Sequence, residues 1–324
     1  MMSEQDLIVL GGGIVGKTTA LTLAQQGLKV LHMAPFLEPK NTPIQSQVDQ
    51  DIWQSRVYAI SSSSKKLLQT LQVWDALDQN RLQAVREMRI MGDSGHEKDR
   101  LCFSAFEGAV PQLAWMIEAQ HIENALDLVS RFAPSLTRLQ CEVQNIQLEP
   151  GHALVNTSEG HFRAKLVIAA DGANSPTREQ FNFEMEEEVY PQTAVIANFS
   201  CTQPHLQTAY QWFLPGGDIL ALLPLPGKKV SMVWSTHHDH AKTLLDCAVE
   251  DPHAFCARIS QCAHGKITHE LGELTLLNAV KSYPLRKLRA KHLIGPDLDP
   301  KIVLVGDAAH VLSLIHISEP TRPY

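Results

Sequence analysis

A glycine-rich stretch near the start of the chain has the spacing of a phosphate-binding loop. Gly11, Gly13 and Gly16 satisfy the pattern G-x-G-x-x-G, and Ile14 and Val15 fill the two positions before the last glycine. In such loops the first glycine permits a tight turn, the second lets the main chain approach a pyrophosphate, and the third lets a helix pack closely on a strand. The N-terminus of that helix also offers free N–H groups to the anion. The stretch predicts dinucleotide binding, without deciding which dinucleotide is bound.

The surrounding residues predict a strand–helix–strand unit. Residues 6–10 are apolar and indicate a buried strand, residues 18–26 favour a helix, and residues 28–33 indicate the next strand. The second strand of such a unit usually ends in Asp or Glu, which binds the ribose hydroxyls. Ala34 stands at that place here. Glu38 lies just beyond it, but nothing in the sequence indicates that Glu38 reaches the ribose, and no replacement can be named.

Two later strand ends carry a glycine and an aspartate. Residues 166–170 indicate an apolar strand that runs into D-G-x-x-S-x-x-R, and residues 301–305 indicate one that runs into Gly-Asp-Ala-Ala-His. Open α/β sheets bind ligands at the carboxyl ends of their strands, although Asp and Gly are also common in purely structural turns. The candidate cofactor-binding residues in these two motifs are Asp171, Gly172, Arg178, Gly306 and Asp307.

The three motifs, in this order, resemble the signature of class A flavoprotein monooxygenases. In that family the first motif holds the ADP part of FAD, and the middle motif lies near FAD and the approach route of NAD(P)H. The aspartate of the last motif, matched here by Asp307, contacts the ribityl–phosphate region. The resemblance implies FAD as the cofactor and NAD(P)H as the co-substrate.

The segments between the motifs resemble a narrower group, the hydroxylases of ubiquinone biosynthesis. Residues 55–61 look like the segment that follows the first motif in that group, and Arg56 matches an arginine that contacts the flavin nucleotide there. Without the resemblance, Arg56 could also be a solvated charge before a helix. Residues 190–234 resemble the substrate domain of the group, with Pro-Gly turns between apolar segments that are typical of an antiparallel sheet.

This resemblance implies an FAD-dependent monooxygenase that hydroxylates the aromatic ring of a polyprenylated phenol in ubiquinone biosynthesis. NAD(P)H would reduce the flavin, and O2 would then give a C4a-hydroperoxide that transfers one oxygen atom to the ring. Because the cofactor carries this chemistry, no catalytic side chain is expected. Three alternatives stay open: a hydroxylase of a soluble phenol, an FAD oxidoreductase of the same fold that never inserts oxygen, and a non-catalytic dinucleotide-binding module or truncated remnant.

Composition argues against several other classes of function. The 324-residue chain has a net charge of -7 with scattered Lys and Arg, whereas nucleic-acid binding needs a concentrated basic surface. The six cysteines form no C-x-x-C pair, and the dense run His-His-Asp-His at residues 237–240 indicates a solvated loop, so no metal is expected. The sequence shows no signal region and no apolar run of about 18 residues. We therefore expect a cytoplasmic protein. Because the implied substrate resides in the membrane, peripheral contact with the inner face of the membrane, or with a ubiquinone-biosynthesis complex, stays open.

The expected fold is α/β, with a discontinuous Rossmann-like FAD-binding domain and an inserted antiparallel-sheet substrate domain. Residues 1–85, 140–178 and 281–311 are assigned to the FAD-binding domain, and residues 179–280 to the substrate domain. Residues 86–139 are expected to form a helical and strand segment that closes the flavin site.

The last residues of the chain depart from the family pattern. After residues 306–310 the family continues with a Pro and a G-x-G-x-N stretch that packs beside the flavin ring. Residues 312–322 instead look like the in-frame translation of a transposase sequencing adapter. We expect residues 312–324 to be an assembly artefact and the native protein to continue past Val311, which puts the activity of the chain as written in doubt. Reading the source locus through codon 311 tests this expectation.

Overall fold

The fold is known from a computed structural model, which describes residues 4–35, 53–93, 96–262, 265–296 and 300–311. Glu38 and the expected artefact at residues 312–324 lie outside these ranges. The strands of the described residues are β1 (Glu4–Leu10), β2 (Val30–Ala34), β3 (Val57–Ile60), β4 (Gln83–Val85), β5 (Glu87–Met91), β6 (Arg100–Ser104), β7 (Ala114–Glu118), β8 (Leu136–Gln140), β9 (Val143–Glu149), β10 (His152–Thr157), β11 (Gly160–Ala169), β12 (Met185–Cys201), β13 (Thr208–Phe213), β14 (Ile219–Leu225), β15 (Lys229–His237), β16 (Leu274–Leu276), β17 (Lys281–Ala290), β18 (Ile294–Gly295), β19 (Ile302–Leu304) and β20 (His310–Val311). The α-helices are α1 (Ile14–Gln25), α2 (Ser62–Thr70), α3 (Ala119–Ser130), α4 (Pro176–Gln180), α5 (His238–Glu250), α6 (Pro252–Cys262) and α7 (Lys266–Leu271).

The first sheet carries all three sequence motifs. Its strand order is β18-β19-β11-β1-β2-β8, and β9 and β10 form an antiparallel extension that pairs with the first half of β11. The pairs from β19 to β8 are parallel. Both faces of β1 are buried, because Leu7 and Val9 pack under α1 while Ile8 and Leu10 pack on the opposite side. This burial on both faces explains the continuous apolar run of β1.

The second sheet is larger and mostly antiparallel. Its order is β20-β17-β12-β15-β14-β13-β5-β6, with β16 paired to β12. Helices α5, α6 and α7 cover one face, where Phe199, Trp234 and Phe255 are among the largest fully buried side chains. The sheet supplies the predicted substrate domain, and its helical cover was not predicted from the sequence.

A small antiparallel sheet, in the order β3-β7-β4, lies between the two larger ones. Its strand β7 leads directly into α3, which packs beside α1 over the first sheet. On its other side, Met116 of β7 packs with Trp53, Ala209 and Leu225, so this small sheet reaches the second sheet as well. The Asn198 Nδ2 group of β12 strengthens the junction by donating to the Gln54 carbonyl at 2.9 Å.

Strand pairing spreads two segments of the predicted domain division over more than one sheet. From residues 86–139, predicted to form a helical and strand segment that closes the flavin site, β5 and β6 join the second sheet, β7 joins the small sheet, and β8 forms an edge of the first sheet. Residues 281–290 were assigned to the FAD-binding domain, but β17 pairs with β12. Charge favours this pairing, because β12 begins with acidic residues and Lys287 contacts Glu188 at 3.4 Å.

Candidate functional site

The carboxyl ends of three parallel strands bring the three motifs together. Leu10 at the end of β1 pairs with Ala169 at the end of β11, and Ala169 pairs with Leu304 at the end of β19. The loop after each strand therefore leaves the same edge of the sheet. The first and last motifs approach so closely that a Cβ on Gly306 would lie 3.0 Å from the side chain of Val15.

The three glycines of the first motif differ in how strongly the fold constrains them. Gly11 has a φ of +120°, and a Cβ on it would lie 2.0 Å from the carbonyl oxygen of Ala170. A Cβ on Gly16 would lie 2.0 Å from the carbonyl oxygen of Gly11. Gly13 differs, because its φ of -80° suits any residue and a Cβ on it would meet no heavy atom within 4 Å in the part of the chain that the structure describes. The packing of the protein thus requires Gly11 and Gly16, but it does not require Gly13.

Helix α1 begins directly behind the glycine loop, and its N-terminus has no side-chain cap among the described residues. Gly13 is the N-cap residue, and the first turn contains no acidic residue. The first N–H groups of a helix have no partner within the helix, and the helix dipole adds a partial positive charge there. This end of α1 can therefore receive an anion such as a pyrophosphate.

The middle motif is fixed by its own hydrogen bonds and is linked to the last motif. The Oδ2 atom of Asp171 accepts a hydrogen bond from the Thr177 N–H at 3.1 Å. The buried guanidinium of Arg178 donates to the carbonyl of Ala173 at 2.8 Å and to the carbonyl of Ala308 at 3.1 Å. Arg178 therefore fixes the middle motif against the last motif.

Arg56 and Tyr58 extend the site from the small sheet. The Arg56 guanidinium carbon lies 5.4 Å from the centroid of the Tyr58 ring, within the range of a cation–π contact. Burial raises the pKa of the Tyr58 phenol, and the positive charge of Arg56 opposes that rise. Tyr58 is therefore neutral at physiological pH and offers both a donor and an acceptor.

A cavity of about 600 Å³ lies where these loops meet. Its size is that of a small-molecule or cofactor site. The predicted residues that line it are Gly11, Gly13, Ile14, Val15, Arg56, Asp171, Gly172 and Asp307. The other three predicted residues, Gly16, Arg178 and Gly306, are not in its lining and instead hold the loops against one another.

Comparison with known proteins agrees with this geometry. The sequence model of the FAD binding domain family matches residues 4–316 of the chain. The chain belongs to this family. It is 29% identical to the 3-demethoxyubiquinol 3-hydroxylase of Escherichia coli over 317 residues, which cover 95% of this chain and 73% of the relative. It is 27% identical to the ubiquinone hydroxylase UbiL of Rhodospirillum rubrum over 307 residues, which cover 94% of this chain and 66% of the relative.

Solved structures show the same fold. The crystal structure of PqsL from Pseudomonas aeruginosa, described as a probable FAD-dependent monooxygenase, superposes with a TM-score of 0.75 at 15% identity, covering 97% of this chain and 81% of that one. The predicted α/β architecture, with its FAD-binding domain and sheet-rich substrate domain, is confirmed. The predicted family, cofactor and enzyme class are also confirmed: this flavoprotein is an FAD-dependent monooxygenase, and NAD(P)H is the co-substrate typical of its family.

The cavity residues fit FAD. Gly13 leaves open space beside the bare N-terminus of α1, where a pyrophosphate can approach the main chain. The Oδ1 atom of Asp171 is buried and has no hydrogen-bond partner among the described residues. A buried carboxylate oxygen without a donor costs free energy, so a hydroxyl group of the cofactor would complete this site.

Sequence reasoning missed a group of buried charges beneath the glycine loop. Lys17 of α1 donates to Asp127 of α3 at 2.7 Å, and Arg138 of β8 contacts the same carboxylate at 2.6 Å. His32 of β2 is fully buried, and its Nε2–H donates to the Gly11 carbonyl at 2.8 Å. Burial, together with the charges of Arg138 and Lys17, lowers the pKa of His32 to about 4. A neutral His32 therefore fixes the carbonyl of the first glycine.

The histidine run is exposed, as predicted, but it begins a helix and does not form the predicted loop. Residue His237 ends β15 and α5 begins at His238, because Ala241, Leu244 and Ala248 supply an apolar stripe that packs on the second sheet. Among the described residues no group of three or more His, Cys, Asp or Glu side chains is placed to hold a metal ion. In the same part of the chain, no helix is long and apolar enough to cross a membrane.

Proposed function

We propose that this flavoprotein hydroxylates the aromatic ring of a polyprenylated phenol in ubiquinone biosynthesis, with NAD(P)H and O2 as co-substrates. The observation that carries the proposal is the similarity to 3-demethoxyubiquinol 3-hydroxylase over 95% of the chain, both large sheets included. Bound FAD would supply the oxygen chemistry that side chains alone cannot perform. The residues of the chain then bind the cofactor, orient the ring and exclude water.

The face of the second sheet opposite its helices supports the binding of an aromatic ring. Ile196, Val233, Ala221 and Gln211 are direct neighbours across β12, β15, β14 and β13. The residues that alternate with them lie in the core under α5, α6 and α7. Since successive side chains of a strand point to opposite faces, this row points away from the helices. It offers a mostly apolar surface with one amide.

Gln211 is the polar group of this row. Its Nε2 atom is buried and has no hydrogen-bond partner among the described residues. A buried donor without an acceptor costs about 1–3 kcal/mol, so an acceptor on the ligand would bind there favourably. In our proposal the phenolic oxygen of the substrate accepts this hydrogen bond, and Gln211 orients the ring.

An isotope experiment tests the proposal. The FAD-loaded protein is given NADH or NADPH, oxygen-18 gas and a polyprenylated phenol in lipid vesicles, and the same phenol without its tail serves as the control. We expect oxygen-18 in the ring of the prenylated product. Oxidation of NAD(P)H without labelled product would exclude hydroxylation, and equal rates with both phenols would exclude a requirement for the tail.

A further inference from the structure

The adenosine end of the cavity lacks the acid that such sites usually have. The strand-end carboxylate that binds the ribose hydroxyls would stand at Ala34, the last residue of β2. Ala34 and the following Pro35 do line the cavity, so this part of the wall is present without its acceptor. The vicinal hydroxyls of a ribose are two donors, and an ionised carboxylate is the strongest acceptor that a protein can offer them.

Glu142 occupies the neighbouring position on the next strand. Ala34 pairs with Gln140 at the end of β8, and the N–H of Cys141 donates to the Ala34 carbonyl at 3.0 Å. Glu142 follows immediately, and it lines the same cavity as Ala34. An acid is therefore present after β8, the neighbour of β2 on the side away from β1, and not at the end of β2 itself.

The main chain of Glu142 is fixed, while its carboxylate is free. Its N–H donates to the Ser158 hydroxyl at 3.3 Å, and its carbonyl accepts from the Ser158 N–H at 3.1 Å. Within the described residues its side chain makes no hydrogen bond or ion pair. The other two acids in the cavity lining, Asp171 and Asp307, follow β11 and β19 on the far side of β1. Glu142 is thus the one lining carboxylate of the described chain on the side of β2.

We propose that Glu142 replaces the missing strand-end acid and accepts hydrogen bonds from the adenosine ribose hydroxyls of FAD. The inference rests on FAD as the cofactor and is independent of the substrate. It also predicts that Glu38, the acid nearest to Ala34 along the chain after β2, does not serve this purpose.

Binding of two flavin dinucleotides to the flavin-free protein tests the proposal. One ligand is FAD, and the other is its analogue without the two adenosine ribose hydroxyls; Kd is measured by quenching of flavin fluorescence. We expect the unmodified protein to bind FAD roughly ten- to a hundredfold more tightly than the analogue, as for loss of charge-assisted hydrogen bonds. In Glu142→Gln the two Kd values should become nearly equal, through weaker FAD binding. Glu38→Gln, the matched control, should discriminate as the unmodified protein does.

Three results would overturn the assignment: no discrimination by the unmodified protein, full discrimination by Glu142→Gln, or loss of discrimination in Glu38→Gln. Thermal unfolding of each flavin-free variant shows that the fold is intact, and the analogue provides a second check because its Kd should be unchanged by Glu142→Gln. Failure of the cofactor assignment itself looks different, because neither ligand would then bind the unmodified protein.

Discussion

Replacing Gly13 by alanine should separate cofactor binding from folding. The Gly13 backbone, with φ -80° and ψ 178°, is accessible to alanine, and the added methyl would meet no heavy atom of the described residues within 4 Å. Alanine is a poorer N-cap than glycine, but it also restricts the unfolded chain, and these effects of about 0.5–1 kcal/mol oppose each other. We therefore expect Tm to change by no more than about 3 °C.

FAD affinity should respond far more strongly. The methyl group would occupy the space through which the pyrophosphate approaches the N-terminus of α1. Losing one or two hydrogen bonds to a charged phosphate costs about 3 kcal/mol, which corresponds to a roughly hundredfold increase in Kd. Fluorescence titration of the flavin-free Gly13→Ala protein measures this change, and thermal unfolding without flavin measures the stability.

Gly16→Ala is the matched control, because its methyl would lie 2.0 Å from the Gly11 carbonyl oxygen. The atom that it meets belongs to the backbone and not to the end of a flexible side chain, so the main chain of the loop or of α1 must shift, at a cost of about 1–3 kcal/mol or more in the free energy of unfolding. Unlike Gly13→Ala, this variant should lose stability even without FAD. If Gly13→Ala bound FAD with unchanged Kd, the pyrophosphate would not pass Gly13 and the cavity assignment would fail.

Three further predictions concern buried groups. Asp127→Asn should lower the free energy of unfolding by about 3 kcal/mol in chemical denaturation, because it removes the carboxylate that pairs with buried Lys17 at 2.7 Å and with Arg138 at 2.6 Å, and Lys17 then keeps only the more distant Glu123 at 4.0 Å among its ion pairs with the described residues. The exposed Glu188→Gln should cost less than about 1 kcal/mol. His32 has a folded-state pKa of about 4, below its ordinary value of 6.5, so the unfolded chain binds more protons than the folded protein between these pH values. The free energy of unfolding should therefore fall by about 3 kcal/mol as the pH drops from 6.5 to 4. His32→Gln should flatten this pH dependence of unfolding, and an unchanged slope would contradict the role given to His32. Gln211→Leu should leave FAD binding intact but raise the KM for the phenol about tenfold, as for one lost hydrogen bond, and an unchanged KM would remove Gln211 from the proposed site.

The motif loops could be predicted from the sequence because their chemistry is local. Gly11, Gly13 and Gly16 are close together in the chain, and the rule that ligands bind at the carboxyl ends of parallel strands brings Asp171 and Asp307 to the same place. The structure agrees, since the register of β1, β11 and β19 aligns their ends. In these loops the residue types and their spacing were enough to predict where the loops lie.

The remaining features depend on partners far away in the chain. Lys17 resembles an ordinary surface lysine of a helix, and only the fold reveals Asp127, 110 residues later, as its partner. Glu142 belongs to no motif, because its position follows from the pairing of β2 with β8. Helix α5 was missed since its first turn is rich in histidine and only Ala241, Leu244 and Ala248 of the helix are buried, so that most of its stability comes from packing on the second sheet.

The buried contacts under the cavity explain how the site can exist before the cofactor binds. Arg178 ties the middle motif to the carbonyl of Ala308, and His32 holds the carbonyl of Gly11. Both side chains are buried, and each donates a hydrogen bond to a main-chain carbonyl of a loop, which restricts the conformations of that loop. A binding loop that is held in place by its own protein loses little conformational entropy when the ligand arrives. We therefore infer that the residues outside the cavity lining contribute to FAD affinity through the order that they impose on the loops.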